Sequence, residues 1–403
     1  MKKTMSWTLA PLSGAVALAL FLGPNAAAAE YDSIQVGNLS IGGALRANYT
    51  VGDYEGDRRD WDKGGDFLLD TARINLDYEN GPWLGKFEYR WYNDAASSYN
   101  MLHTGWVGYR FENESQLEVG VTRAPFGPGA YGVSQSWFFD QHYYVGLSDN
   151  MNLGVKYTMP MGDWTWDVAY FYSDAGSYSG NNSDDSARYS YDVVDETGTG
   201  FEERNQVNFR GIYSIPNTDH EVGFSAQYGE LKSNGPQSDG DMFAVSGHAV
   251  NRFGNWTLAS QLSYYKYDVD EHDLLDVGGD VFRSDKLVQF GAYDYWNEVA
   301  AEAWVPAISA SYYHETPNIP WLDYVIPYAE YSSVVKRESD FNNSDLLVLG
   351  AAWARGNWYI YTDLAYSNGN GFVGGDTPYG EQLGANRTDD WETRININFG
   401  YYF

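Results

Sequence analysis

Apolar and polar residues alternate along most of this chain with a period of two. The last segment is the plainest case. Trp391, Ile395, Ile397, Phe399, Tyr401 and Phe403 fall on one face of an extended strand, interrupted only by Thr393, while Glu392, Arg394, Asn396, Asn398 and Gly400 fall on the other. Successive side chains of a strand point to opposite faces, so such a stretch is apolar on one side and wet on the other. Upstream, Leu39, Ile41, Leu45, Tyr49 and Val51 oppose Ser40, Arg46, Asn48 and Thr50. Phe87, Tyr89 and Trp91 oppose Lys86, Glu88 and Arg90, and Trp164, Trp166, Val168, Tyr170 and Tyr172 oppose Thr165, Asp167 and Phe171. A pattern repeated through a whole chain fits a sheet with lipid on one face and water on the other. Placing Arg or Lys against mid-bilayer lipid costs about 2–4 kcal/mol, so the register that turns the charges inward is preferred.

Turn-forming residues divide the pattern. Short turns fall at 79–82, 112–115, 160–163, 216–219, 252–255, 318–320 and 355–357, each rich in Gly, Pro, Asn, Asp or Ser. Five of them are followed at once by Trp: Trp83, Trp164, Trp256, Trp321 and Trp358. This recurrence fits one interfacial aromatic ring. Longer polar connections lie at 53–65, 94–102, 124–150, 174–203, 230–240, 268–303, 337–344 and 368–388. Seven turns and eight loops separate sixteen strands: 38–52, 66–78, 84–93, 103–111, 116–123, 151–159, 164–173, 204–214, 220–229, 241–251, 256–267, 304–314, 322–336, 345–354, 358–367 and 389–403. The expected fold is all-β, a 16-stranded antiparallel transmembrane β-barrel with short periplasmic turns and long extracellular loops.

Residues 1–29 read as a cleaved export signal. Lys2 and Lys3 form a positive start, Ala15 to Leu22 an apolar stretch, and Ala26 to Ala29 a small-residue cleavage site. Residues 30–403 then form the barrel domain, placed in the outer membrane in contact with lipid and lipopolysaccharide. The terminal Phe403 is the expected handle for the barrel-assembly machinery. The formal net charge of −30 argues against nucleic acid, which needs a basic footprint. With 35 Tyr, 15 Trp and 19 Phe the chain is rich in the residues that line membrane interfaces. The same excess would suit a secreted, carbohydrate-binding β protein, but that reading leaves the repeated Trp after short turns and the terminal Phe403 unexplained.

The inward charges are the candidate chemistry. Arg394 on the last strand and Arg46 on the first become neighbours when the barrel closes, and Arg73, Lys86, Arg90 and Arg110 continue the row. Asp77, Glu88, Glu118 and Glu392 share that wall or neighbour it. Lys156, Asp167, Arg210, Glu221, Glu330 and Asp363 are expected on the farther side. Opposed rows of charge set a field across a water-filled lumen and sort solutes by charge. The alternative is paired ions that stiffen the wall. Loop 124–150 holds Pro125, Phe126, Gly127, Trp137, Phe138, Phe139, Asp140, His142, Tyr143, Tyr144 and Asp149, too apolar to stay in solvent, and is expected to fold inward as a constriction.

Three features together resemble Gram-negative porins: Asp70-Thr71-Ala72-Arg73, the run from Gly120 to Gly127 reading Gly-Val-Thr-Arg-Ala-Pro-Phe-Gly, and the terminal Phe403. Within them the chain is similar to the phosphate-selective porin O/P-like group. The resemblance implies a sixteen-stranded homotrimeric passive channel for small hydrophilic solutes, narrowed by its third long loop. One departure concerns the long loops, which are acidic at Asp184, Asp185, Asp192, Asp195, Glu196, Glu202, Glu203, Asp268, Asp270, Glu271, Asp273, Asp276 and Asp280. An acidic mouth favours cations or neutral solutes, the arginines an anion ladder inside, and the aromatics sugars.

No cofactor is expected. Asp268–Asp273 and Asn181–Asp185 offer oxygen ligands for loosely held calcium, without the EF-hand spacing. A barrel hydrolase would need a base beside a nucleophile. His103, His142, His220, His248, His272 and His314 sit in no local signature, and there is no Gly-x-Ser-x-Gly elbow.

Overall fold

The computed structural model describes residues 33–93, 97–182, 185–275, 280–375 and 382–403. The expected export signal lies outside them. Sixteen strands form one closed antiparallel wall. They are β1 (Leu39–Gly52), β2 (Asp66–Asn80), β3 (Trp83–Asn93), β4 (Ser98–Arg110), β5 (Gln116–Arg123), β6 (Met151–Met161), β7 (Trp164–Asp174) and β8 (Phe201–Ser214). The wall continues with β9 (Glu221–Ser233), β10 (Gly240–Phe253), β11 (Trp256–Asp268), β12 (Glu302–Tyr312), β13 (Tyr324–Lys336), β14 (Ser344–Arg355), β15 (Trp358–Ser367) and β16 (Glu392–Tyr402). Each pairs with its successor, and β16 pairs back onto β1 from Ala44↔Tyr402 to Gly52↔Arg394. The seam continues past the strand end, where Gly43 N–H donates to the Phe403 carbonyl at 2.7 Å and Phe403 N–H to the Gly43 carbonyl at 3.0 Å.

All sixteen strands lie where the alternation places them, to within a few residues. Three hairpins on one rim turn through Gly162-Asp163, Gly254-Asn255 and Gly356-Asn357. Their glycines have φ of +62°, +59° and +51°. Only the first residue of each pair is left-handed, as two-residue turns with Gly first require. On the same rim Trp83, Trp164, Trp256 and Trp358 each pack on a tyrosine of an adjoining strand. Ring separations are 5.1 Å to Tyr109, 5.0 Å to Tyr213, 4.9 Å to Tyr312 and 5.1 Å to Tyr401. These pairs form the ring of aromatics that the turn pattern foresaw.

Facing is regular except at bulges. Along β11, Trp256, Leu258 and Leu262 point outward and Thr257, Ala259, Gln261 and Ser263 inward. In β2 the ladder runs Arg46↔Thr71 and then Ala47↔Leu69, leaving Asp70 as an extra residue. In β4 it runs Glu88↔Thr104 and then Tyr89↔Leu102, leaving His103 extra. A bulge keeps the pleat in phase on both sides of an inserted residue. Asp70 thereby joins Thr71, and His103 joins Thr104, on the lumen side.

The long connections differ from the polar segments expected. Within 268–303, Leu287–Ala292 and Tyr295–Ala300 form a hairpin that pairs with Asp192–Val193. Val288, Phe290 and Val299 are fully buried, in one cluster with Phe138, Tyr143, Tyr144 and Tyr265. The interior of the barrel thus holds a core built from loops rather than open water alone. The outward face predicts a mutational cost. Leu262, half exposed at the middle of β11, is expected on replacement by Arg to lower the unfolding free energy in lipid vesicles by about 2–4 kcal/mol, measured by urea titration of tryptophan fluorescence.

Candidate functional site: a lumen divided by a docked loop

Loop 124–150 crosses the interior and docks on the far wall. It leaves β5 through Pro125, Phe126 and Gly127. Gly127 is left-handed at φ +64°, and a Cβ there would meet the Gln261 side chain at 2.8 Å. Its N–H donates to Ser225 Oγ at 3.0 Å, and its carbonyl accepts from Arg210 at 3.3 Å. Further along, Ser309 Oγ donates to the Val133 carbonyl at 2.6 Å, Ser134 Oγ to Glu330 at 2.7 Å, and Gln135 N–H also to Glu330. Trp137 N–H donates to Asp363 at 3.1 Å and Gln141 N–H to Ser332 Oγ at 3.0 Å. Asp140 caps the single turn Gln141–Tyr144 and also accepts the Val133 N–H at 2.8 Å. These bonds reach five strands of the far wall, β8, β9, β12, β13 and β15, and His142 adds β11.

His142 completes a familiar order of groups. Its Nδ1 lies 3.0 Å from Asp140 and its Nε2 2.8 Å from Ser263 Oγ. This is the sequence nucleophile, base, orienter. Both His142 and Ser263 are fully buried, and none of the three lines the lumen cavity. The array pins the loop to β11, where no substrate carbonyl could reach the serine.

What remains open is a cavity of about 640 Å³ between the loop and the near wall. Arg46, Arg73, Arg90 and Arg394 line it, with Arg59, Asp66 and Asp70 toward the loop rim. The first four arginines are not equivalent. Arg90 pairs with Glu88, donates to the Tyr92 hydroxyl at 3.1 Å and lies over the Tyr189 ring at 4.5 Å. Arg394 donates to Thr50 at 3.0 Å and to the Phe372 carbonyl at 2.7 Å, and lies 5.0 Å over Trp137. Arg46 makes one hydrogen bond, to Thr71 at 2.7 Å. Arg73 has a 3.6 Å ion pair to Glu88 and lies over the Tyr402 ring at 5.2 Å. The Nε groups of Arg46 and Arg73 are buried without a hydrogen-bond partner among the described residues.

The remaining expected residues stand elsewhere. Lys86 pairs with Asp77 at 3.5 Å and Arg110 with Glu79 at 2.8 Å, both near the short-turn rim. Glu118 and Lys156 pair at 2.9 Å, and Arg210 and Asp167 at 2.8 Å. Glu392 abuts Gly374, where a Cβ would overlap its carboxyl. Glu221 faces Arg252 at 3.8 Å. The expectation of acids facing the arginines across open water is corrected for Glu330 and Asp363. Both face inward, but the loop covers them and takes their oxygens as acceptors.

Sequence reasoning missed Tyr189, Tyr191, Tyr293 and Phe372, which line the same cavity. Their signal is aromatic residues recurring inside otherwise polar connections. Tyr143 and Tyr293 share a hydroxyl contact, and Phe139 stacks on Tyr143 at 4.3 Å.

Residues 41–211 match the family model of the phosphate-selective porins O and P. Over that stretch the chain is similar to this group of outer-membrane porins. Solved structures share its fold. The outer-membrane channel DcaP of Acinetobacter baumannii aligns with TM-score 0.56 at 10% identity, over 91% of this chain and 97% of its own. The trimer form of OmpT from Vibrio cholerae aligns with 0.53 at 13%, over 92% and 100%. An anion-selective porin from Comamonas acidovorans aligns with 0.51 at 11%, over 91% and 99%. A search of curated proteins found no match.

In this barrel several acidic side chains of the long loops are engaged in internal contacts. Arg188 gathers Asp174 at 2.7 Å, Asp185 at 2.9 Å and Asp192 at 3.3 Å. Asp195 accepts the N–H groups of Thr199 and Gly200 at 3.1 and 2.7 Å. Asp273 pairs with Arg283 at 3.0 Å. Asp184 and Asp276 lie outside the described residues. Among the described residues no three His, Asp or Glu side chains are grouped to hold a metal ion.

Asp149 ends the loop in a buried tether, with Arg123 at 2.6 Å and the Tyr189 hydroxyl at 2.6 Å. Burial pushes its carboxyl up, but Arg123, His103 and Tyr189 outweigh burial and hold it well below the usual carboxylate range. A depressed carboxyl stabilises the fold above its unfolded value and loses that contribution only as pH falls through the folded one. The tether is therefore expected to survive at pH 4. Asp149→Asn should cost about 3–5 kcal/mol at neutral pH, read from urea midpoints across pH. Glu330→Ala removes two anchors of the loop at once. It should raise single-channel conductance and open loop 124–150 to added protease while far-UV circular dichroism stays unchanged.

Proposed function

We propose that this barrel is a porin that conducts small hydrophilic solutes by passive diffusion, with a preference for anions. The observation that carries the reading is the cavity between the docked loop and the arginine wall. From β16 it is lined by Arg394, near the loop rim, and Tyr402, near the turn rim. At about 3.4 Å per residue these positions lie about 27 Å apart along the strand, which at a tilt of about 40° is about 20 Å along the membrane normal, most of the roughly 25 Å apolar band of such a barrel. Five arginines and two aspartates line it, so the field there favours negative solutes. The acids of the long loops oppose this, with Arg188 and Arg283 offsetting two of their charges. A homotrimer is part of the proposal and rests on likeness alone, the OmpT comparison being a trimer form.

The test is the reversal potential of the refolded protein in a planar bilayer under a KCl gradient. Chloride preference is expected. Arg46→Ala combined with Arg73→Ala should move the ratio of chloride to potassium permeability from above unity to below it. No conductance from a demonstrably folded barrel would sink the channel reading, and cation preference in the unaltered protein would sink the anion preference.

A further inference from the structure

We infer that the lumen cavity is a binding site for phosphate esters of sugars, in preference to inorganic phosphate. This rests on the anion-channel reading above and adds a ligand class to it. Three observations point the same way.

The first is the open donor capacity of Arg46 and Arg73. A guanidinium carries five N–H donors. Arg46 uses one of its five and Arg73 none in hydrogen bonds, and the Nε of each is buried without a partner among the described residues. Buried donors are normally satisfied. The two arginines are diagonal neighbours on β1 and β2, since Ala44 pairs with Arg73 and Arg46 with Thr71. They can grip one phosphate from two sides, as guanidinium forks do.

The second is that acceptors stand beside these donors. Asp70 Oδ1 is also buried without a hydrogen-bond partner among the described residues, as is Asp66 Oδ2, which has a 3.7 Å ion pair to Arg58, and both residues line the cavity. A bare anion gains nothing from two carboxylates and is repelled by them. A ligand that carries hydroxyl donors as well as negative charge uses both sets of groups. Asn48, Ser134 and Gln135 lie on the same lining and add further polar partners.

The third is an aromatic platform in the same cavity as the arginines. Tyr131 is 46% exposed although it sits within the barrel. Its ring lies 5.4 Å from Phe139, which stacks on Tyr143. Tyr131, Phe139 and Tyr143 line the same cavity as Arg46 and Arg73, with Tyr131 within electrostatic reach of Arg73 and Arg90. A pyranose presents a face of C–H bonds that packs on such rings as apolar surface does. Inorganic phosphate has no such face.

The experiment measures block of the chloride current in a planar bilayer by glucose 6-phosphate, inorganic phosphate, glucose and benzoate. Half-block by glucose 6-phosphate is expected at a concentration about tenfold below that of each of the others, equivalent to about 1.4 kcal/mol. Tyr131→Ala and Asp70→Asn should each raise the half-blocking concentration of glucose 6-phosphate several-fold. The first should leave inorganic phosphate unchanged and the second should strengthen its block. Equal block by inorganic phosphate and glucose 6-phosphate would overturn the inference, as would either variant weakening both ligands alike. Benzoate matching glucose 6-phosphate would overturn the role given to the hydroxyls. Chloride conductance is recorded in every trace, so failure of the channel reading itself shows separately, as a missing or cation-selective current.

Discussion

The structure depends on the seam where β1 meets β16. In a hydrocarbon layer no water is at hand to satisfy a strand's N–H and C=O groups, so a spanning sheet must have no edge. Pairing from Ala44↔Tyr402 to Gly52↔Arg394, extended by the Gly43–Phe403 bonds, removes the last one. Closure then dictates the rest. Alternate side chains must face lipid, the others must face inward, and sixteen strands enclose a space too wide for wall side chains to fill. Something else must occupy part of it, and the aromatic loop between β5 and β6 does so.

Docking of that loop turns a symmetric barrel into an asymmetric one. On the far side the inward polar residues serve as anchors: Ser225, Ser263, Ser309, Glu330, Ser332 and Asp363 each meet the loop. On the near side the arginines keep a solvent-facing gap. A charge in this lumen therefore has one of two fates. It is neutralised in a close pair, as in Glu118–Lys156 and Asp167–Arg210, or it stays partly uncommitted, as in Arg46 and Arg73. Selectivity rests mainly on the second group, because the field of a committed charge is largely cancelled by its partner.

Strand number, strand limits and facing were legible in the sequence because period-two alternation and turn residues act locally. Arg46, Arg73, Arg90 and Arg394 could be brought to one wall because closure makes the first and last strands neighbours. The inward fold of the loop could be read from its apolar content. Which of its polar neighbours it would cover could not be read, since that depends on contacts between residues separated by up to 226 positions, as in Trp137 with Asp363. For the same reason the sealed array of Asp140, His142 and Ser263 left no mark in any short motif. The hairpin at 287–300 was missed because acidic residues on both sides of it mask a short alternating apolar run.

The bulge at Asp70 has a genetic consequence. Odd-numbered positions in β2 are apolar at Phe67 and Leu69 but polar at Thr71 and Arg73, yet the first pair faces lipid and the second the lumen. The change of phase is absorbed entirely by one residue. Loss of a single codon elsewhere in a regular strand would invert every side chain beyond it, sending leucines into water and charges into lipid. Loss of the Asp70 codon would instead join Leu69 directly to Thr71 and leave both opposite their present partners. Strand length at this point is free to drift by one residue, so the presence of a carboxylate beside the arginines can be gained or lost without disturbing the barrel that carries it.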